Sequence, residues 1–539
     1  MIGWPRVWFG PNSGASFCCL KGRENGVKNN SVRFLLPVFV GLALLAVGSG
    51  SSAFQAQTTA QPADENYPNC RFGVTVESDV TGFDTAALNA GWYLNWGLEP
   101  SPPTPGGMEF VQMVRLTQVG ADGWDFRSGE TWESLTAAIN ANPGALWLIG
   151  NEPDSPYQDD LVPQAYANAY HDLHDFIKVQ DPNAQVGIGG TVQPTPLRFL
   201  YLDDVWSAYS QTYTETMPVD VWNIHSFILR EVTEPPDSDP CDPTPFQVWG
   251  AFFPPWPTVD EVDLSELYGN LYGKLYCVRD QDNLALYLER IRDFRQWMAE
   301  NGQREKPLII TEYGVLFPED IGYADEDGRI FSQTRVGEFM TGTYDLMLEQ
   351  TDPNLGYPHD GNRLVQRWAW FSLNGDPFEM GGTLFDPQTH EIRELGETFR
   401  DYTSAITPTA DLMPAQIFAA SGVLWHEDAP VTAKLKAVVS NVGNISSTSA
   451  ATVTFLDGPP DDPGTEPIGT PQVVGPGLAG CAGYEIVETE WTGLGAGAHP
   501  FYVQVSALDG DPQTNNVAKG SVLVAVERYF MPILARAPK

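Results

Sequence analysis

The chain has 539 residues, 69 of them acidic against 30 basic, for a formal net charge of -39. That length exceeds a single comfortable core, so two or more domains are expected. So few Lys and Arg exclude nucleic acid as a partner, because a phosphate backbone must be neutralised by clustered cations.

Near the start, Arg33 precedes an apolar stretch from Phe34 to Val47, and small residues follow it from Gly48 to Ala53. This is the layout of a signal peptide, and residues 1–53 are assigned to a signal peptide or N-terminal anchor region. The stretch falls short of the ~20 apolar residues that span a bilayer. A secreted or extracellular protein is expected, with cell-surface or membrane attachment through an uncleaved segment as the alternative. Cys18 and Cys19 lie before the apolar run; Cys70, Cys241, Cys277 and Cys481 lie after it. Cys241 with Cys277, which bracket one long excursion, is the first choice of disulfide among three possible connectivities, and Cys70 and Cys481 fall in different domains.

A polar linker (54–69) leads into alternating apolar runs and helix-period segments over residues 70–405. The runs are RFGVTVES (71–78), WYLNWGL (92–98), FVQMVRL (110–116), ALWLIGNEP (145–153), QVGIGGTVQ (185–193), VDVWNIHSF (219–227), PLIITEYGV (307–315) and VQRWAWFSL (365–373). Eight buried strands alternating with helices predict an α/β fold, the (β/α)8 TIM barrel. Helices are expected over 164–180, 283–300 and 334–349; in the second, Leu284, Leu288, Ile291, Phe294 and Met298 form one stripe. Between the sixth and seventh strands, the excursion carries Trp249, Phe252, Phe253, Trp256, Tyr268 and Tyr272. These aromatics either stack on sugar rings at the barrel rim or form a small loop core. Across 411–539 the period changes to two: Val431, Ala433, Leu435, Ala437 and Val439 alternate with polar residues, which predicts a small all-β, immunoglobulin-like sandwich.

Chemistry enters at two strand ends. Glu152 in WLIGNEPD and Glu312 in LIITEYGV each stand where a buried run meets a turn, on the rim where a parallel barrel displays its functional groups. Two carboxylates so placed can split a glycosidic bond: one protonates the leaving oxygen while the other attacks the anomeric carbon. Asn151 and Tyr313 beside them, His225 at the sixth strand end, Trp370 at the eighth and Trp96 at the second are candidate substrate-binding residues. For His225 a hydrogen bond to either glutamate is the proposed role, with a core histidine as the plain alternative; for Trp370 a sugar-stacking floor stands against barrel packing. Asn95 and Arg115 are weaker candidates. No GxSxG, HExxH, CxxC or P-loop is present, which removes support for serine hydrolase, zincin, thiol-redox and nucleotide chemistry. His171 and His174, three apart, read as an exposed helix face rather than a metal site, and Asp325, Glu326 and Asp327 lack EF-hand spacing. No cofactor or metal is required.

NEP at 151–153 and TEYG at 311–314 resemble the strand-four and strand-seven motifs of clan A glycoside hydrolases. WYLNWG, EFVQMVRL, WLIGNEPD and VWNIHSF in succession look like the Asl1-like glycosyl hydrolase catalytic core, a family that includes endo-β-1,3-glucanases. The resemblance implies Glu152 as acid/base, Glu312 as nucleophile, and His225 and Trp370 lining the subsite. It departs from that family in the long 228–282 excursion. SNVGN (440–444) and DPQTNN (511–516) make the last domain similar to a CARDB-type adhesion module. A secreted retaining glycosidase acting on a β-linked polysaccharide or oligosaccharide is therefore expected. The alternatives are a non-catalytic carbohydrate-binding or adhesion protein on a barrel scaffold, and a cell-surface structural protein.

Overall fold

The computed structural model describes residues 68–77, 79–232, 250–252, 277–317, 325, 327–376, 381–419, 423–425, 431–512 and 514–525. Of the two compact units into which the chain divides, Met1–Ser52 and Ala53–Lys539, all of these belong to the second. The apolar stretch from Phe34 to Val47 lies outside the described residues, within which no helix is long and apolar enough to cross a membrane.

Eight strands form the barrel: β1 (Asn69–Thr75), β2 (Ala90–Leu94), β3 in two pieces (Glu109–Phe110 and Gln112–Val114), β4 (Leu146–Ile149), β5 (Gln185–Ile188), β6 (Trp222–His225), β7 (Leu308–Tyr313) and β8 (Arg367–Trp370). Every neighbour pairs in parallel. Parallel bridges from Gly187 to Val221 and from Thr191 to Ile224 join β5 to β6 and close the ring. Side chains alternate between two apolar environments, which is why the strands read as nearly continuous hydrophobic runs. Trp92, Met113, Leu148, Ile309 and Ala369 fill the interior, while Tyr93, Trp147, Ile224, Ile310 and Trp368 face the helices.

Six α-helices cover the barrel among the described residues: α1 (Trp132–Ala141), α2 (Pro163–Gln180), α3 (Pro196–Tyr213), α4 (Leu284–Glu300), α5 (Gln333–Glu349) and α6 (Glu394–Ser404). Their starts carry recognisable chemistry. Asn283 accepts hydrogen bonds from the amides of Ala285 and Leu286 ahead of α4, and Ser332 caps α5. The buried face of α4 runs through Tyr287, Ile291, Phe294 and Met298, with Leu284 and Leu288 at its edge. After β1 and β2 the expected helices are replaced by 3-10 turns, Thr85–Leu88 and Pro105–Gly107. In the second case Pro100, Pro102, Pro103 and Pro105 remove the amide donors that a helix requires.

The C-terminal strands β9 (Leu412–Ala419), β10 (Val423–Trp425), β11 (Val431–Asn441), β12 (Ala451–Leu456), β13 (Gln472–Val474), β14 (Gly483–Leu494), β15 (Gly497–Val505) and β16 (Val517–Ala525) form two sheets, ordered β9-β11-β14 and β10-β16-β15-β12-β13. Leu435, Val439, Phe455, Phe501, Val503 and Val522 lie in the core between them. All pairings are antiparallel except β10 with β16.

A disulfide and a hydrogen-bonded arginine tie the sandwich to the start of β1. Cys70 is bonded to Cys481 across 411 residues of sequence, so these two cysteines link the modules. Cys277 is also disulfide-bonded, and Cys241, its expected partner, lies outside the described residues. Next to the bridge, both terminal nitrogens of buried Arg71 donate to Asp360 at 2.8 Å, and one of them also donates to the Val442 carbonyl at 2.9 Å. Closing so long a loop removes denatured-state entropy worth on the order of 5 kcal/mol in the chain-entropy model. The double variant Cys70→Ser, Cys481→Ser is expected to lose roughly 3–5 kcal/mol of stability. Denaturant unfolding monitored separately on barrel and sandwich checks this, and an unchanged midpoint would show that the hydrogen bonds beside the bridge suffice without it.

Candidate active site

The site lies on the C-terminal rim of the barrel. After β4 the chain turns sharply: Gly150 has φ 85° and Glu152 has φ 42°, a left-handed backbone that a side-chain-bearing residue adopts at a cost of about 1–3 kcal/mol. Three contacts impose it. The Glu152 amide donates to Gly190 O at 2.9 Å, Ser155 N closes a turn onto Glu152 O at 3.0 Å, and Asn151 N donates to the buried Asp159 carboxylate at 2.8 Å. Asp159 also accepts from Leu116 N at 3.0 Å and from Arg115 Nε at 2.7 Å, so it locks the end of β3 to the end of β4.

Glu312 reaches the same space by a different device. Ile310 faces the helices and Thr311 bonds to Asn223 Oδ1 inside the barrel at 2.9 Å, so strict alternation would send Glu312 outward. The pairing register with β6 shifts between Ile310 and Glu312, and that with β8 between Ile310 and Tyr313. This irregularity re-aims Glu312 into the mouth and gives Tyr313 the outward place.

His225 stands between the two acids. Its Nδ1 lies 2.8 Å from Glu152 Oε1 and its Nε2 lies 3.3 Å from Glu312 Oε1, with the ring wholly buried. Burial alone would lower its pKa, but Glu312 and then Glu152 more than offset this, and the net direction is upward. Nδ1 is hydrogen-bonded to Glu152, whereas Nε2 faces Glu312 at ion-pair distance without a hydrogen bond. On the other side, Trp96 Nε1 donates to Glu312 Oε1 at 2.6 Å. Burial pushes the Glu312 carboxyl up to about 7; His225 opposes this, Glu152 adds to it, and the Trp96 hydrogen bond lowers it.

Glu152, Glu312, His225, Trp96 and Asn151 are thus brought together. Asn151 is buried, and its Oδ1 has no partner, an acceptor suited to a sugar hydroxyl. Tyr313 and Trp370 do not line the site. Both are fully buried in the layer between barrel and helices, edge to face with ring centroids 5.3 Å apart, and Trp370 Nε1 donates to Gly382 O at 2.6 Å. The sugar-stacking floor expected of Trp370 is instead packing, because the parity of β8 turns that indole outward. Arg115 supports the site through Asp159, and Asn95 Nδ2 is 3.4 Å from Glu99 on the neighbouring loop.

Other expected residues resolve separately. His171 stacks on Tyr213 with ring centroids 3.6 Å apart, and both histidines meet the Asp175 carboxylate, His171 at 3.6 Å and His174 at 3.1 Å. Asp325 is ion-paired with Arg335 at 2.9 Å and Arg329 at 3.1 Å, which neutralises the acid by arginine. Glu326 and most of the 228–282 excursion, with Trp249, Phe253, Trp256, Tyr268 and Tyr272, lie outside the described residues; at its base Arg230–Val232 pairs in parallel with Gly250–Phe252.

Several supporting residues escaped the sequence reading. Asp154, the last residue of NEPD, is fully buried against Arg198 at 2.8 Å. Burial raises its carboxyl to about 6, Arg198 opposes the rise and Glu152 adds to it. Phe227 and Phe371 form an apolar wall, 5.7 Å apart, with Trp96 against Phe371 at 6.0 Å. Gly190 leaves room for the histidine: a Cβ there would sit 2.5 Å from His225 Cδ2. The doublet Gly189-Gly190 directly after an apolar strand was the available signal.

One oxygen of each glutamate and one ring nitrogen of His225 lie within 4.8 Å of one another, the sole grouping of this kind among the described residues. The cationic form of His225 carries protons on both nitrogens and offers no lone pair to a metal. The arrangement is an acid pair with an imidazole between them, suited to proton transfer and nucleophilic attack.

Residues 72–234 match the family model described as a glycosyl hydrolase catalytic core, a stretch that includes Glu152 and His225. Among solved structures, a GH128 (subgroup II) endo-β-1,3-glucanase from Pseudomonas viridiflava is 17% identical, over 61% of this chain and 96% of that one, with a TM-score of 0.38. A subgroup I enzyme from Amycolatopsis mediterranei in complex with laminaritriose is 16% identical, over 62% and 100%, also at 0.38. A CARDB domain from Pyrococcus furiosus in complex with di-metal ions is 19% identical, over 23% and 100%, at 0.18. No curated protein matches the chain.

The contact of Gly190 with His225 is testable. Gly190→Ala is expected to displace the ring and to cost about 1–3 kcal/mol through overpacking. Denaturant unfolding measures the cost and NMR titration of the imidazole reports the displacement. Wild-type values in both would show that the ring accommodates the methyl group.

Proposed function

We propose that this protein is a secreted retaining glycoside hydrolase that cleaves a β-linked polysaccharide, with β-1,3-glucan the first candidate. The observation that carries this reading is the closeness of the acids, with oxygens of Glu152 and Glu312 inside the 4.8 Å span that also includes His225. Retention uses carboxyl groups roughly 5–5.5 Å apart, whereas inversion needs about 6.5–9.5 Å to admit a water between them.

The roles follow from what each carboxylate already holds. Glu312 Oε1 receives the Trp96 indole and faces His225, contacts that favour an ionised nucleophile. Glu152 Oε1 is occupied by His225, which leaves Oε2 to carry the acidic proton. In the first step Glu312 bonds to the anomeric carbon, the glycosidic C–O bond breaks, and its electron pair leaves on an oxygen that takes the proton from Glu152. In the second step Glu152 removes a proton from water, whose oxygen bonds to the anomeric carbon as the ester to Glu312 breaks. No cofactor takes part in this sequence. Asn151 Oδ1 and the Phe227–Phe371 wall are assigned to the sugar.

Two measurements test the reading. Release of reducing ends is followed on β-1,3-, β-1,4- and mixed-linked glucans, xylan and mannan, beside Glu152→Gln and Glu312→Gln. Product from one polymer that drops by at least about a thousandfold in both variants is expected; silence on every polymer from a folded protein would favour a carbohydrate-binding role instead. The second is the pH profile of kcat/KM. Because Glu312 must be ionised to attack and burial holds it at about 7, activity is expected to fall as pH drops through that value. A limb at about 7 on the alkaline side instead would assign Glu312 as the acid and reverse the two roles.

A further inference from the structure

The nucleophile assigned above has two oxygens in unlike settings. Oε1 of Glu312 accepts a hydrogen bond from Trp96 Nε1, at 2.6 Å, and lies 3.3 Å from the His225 ring without a hydrogen bond to it. Oε2 makes no hydrogen bond to a described residue. Trp96 itself is held in place from several sides. Its backbone is left-handed at φ 60°, a conformation that a bulky residue keeps only where its surroundings dictate it. Its ring packs on the barrel-interior cluster of Trp92 and Leu94 and on the rim cluster of Phe227, Leu316 and Phe371. Loop residues around it are pinned as well: Glu99 N donates to Gln112 Oε1 at 2.9 Å, Gln112 Nε2 returns to Glu99 O at 2.8 Å, and Met113 N donates to Gly97 O at 3.1 Å.

Resting on the retaining mechanism, we infer that Trp96 is a positioning residue for the nucleophile. Its indole N–H commits Oε1 of Glu312 to the protein and leaves Oε2 as the oxygen that bonds to the anomeric carbon. This is distinct from the sugar-stacking role that a rim tryptophan invites. A stacking ring contributes through its face and is served nearly as well by another aromatic, whereas this contact depends on a single N–H at the ring edge. The hydrogen bond also strengthens as charge collects on the carboxylate, so its loss is felt where Glu312 must be ionised.

Trp96→Phe keeps an aromatic face and removes the donor. With a polymer that the wild type cleaves, kcat is expected to fall roughly ten- to hundredfold, the span of a charge-assisted hydrogen bond, while KM stays within about threefold. The acid limb of kcat/KM is expected to move up by about one pH unit. Trp96→His, which again offers a ring N–H, is expected to recover part of kcat and to return the limb toward wild type. A rise in KM with kcat and the acid limb unchanged would overturn the inference and make Trp96 a stacking wall, with the glycosidase reading intact. If wild type cleaves no polymer, or if Trp96→Phe does not fold, the indole N–H resonances of the wild-type protein are titrated instead. One of them is expected to shift through the Glu312 midpoint and to lose that shift in Glu312→Gln; absence of any such resonance would sink the proposal independently of activity.

Discussion

Two carboxylates held this close, in a place sealed from bulk water, repel each other strongly when both are charged, and the fold meets that constraint with a histidine between them. His225 touches Glu152 at 2.8 Å and Glu312 at 3.3 Å, and its ring is wholly enclosed. Burial raises the Glu312 carboxyl, and His225 opposes that rise, as does the Trp96 indole that donates to the same carboxylate. Proton distribution among interacting groups this close belongs to the cluster rather than to any one residue.

Much of the surrounding backbone serves to make that contact. Gly190 has no side chain, so the imidazole can lie against its α-carbon, and its carbonyl holds the Glu152 amide. The left-handed turn at Glu152 and the broken register at Glu312 bring residues from β4 and β7 to the ring that β6 supplies. Asp159, clamped by Arg115 and the amides of Leu116 and Asn151, fixes the turn from below. These features are locally unfavourable, and they persist because the closed barrel over-determines them. A site built this way keeps its geometry before substrate arrives, which is what electrostatic catalysis requires.

The barrel was legible because its strands are buried on both faces and so spell out unbroken apolar runs, and both glutamates were legible because each interrupts such a run at its end. What failed was parity. Tyr313 and Trp370 looked like rim residues from their place in sequence, yet a single register shift gave Glu312 the inward position and Tyr313 the outward one. Sequence alone does not show where a strand slips, since the slip is set by neighbours that are distant along the chain. The joint was hidden for the same reason. Nothing local to Cys70 or Cys481 announces a partner 411 residues away, while Cys277 and Cys241 sit close together and invite pairing. Asp159 and Asp154 were invisible because buried carboxylates and loop carboxylates look alike until their arginines are placed.

That joint also says where the sandwich meets the barrel. Every barrel residue that meets it belongs to the side where strands begin: Cys70 and Arg71 open β1, His359 and Asp360 precede β8, and Glu305 precedes β7. The acids lie where strands end. A parallel barrel keeps those two rims a full strand length apart, which separates this joint from the two glutamates. Among the described residues its contacts with the barrel include the disulfide, the Arg71–Val442 and Cys70–Asn444 hydrogen bonds, at 2.9 and 3.1 Å, and the His359–Gln416 hydrogen bond, at 3.0 Å. The sandwich is therefore braced against the barrel at the rim opposite Glu152 and Glu312.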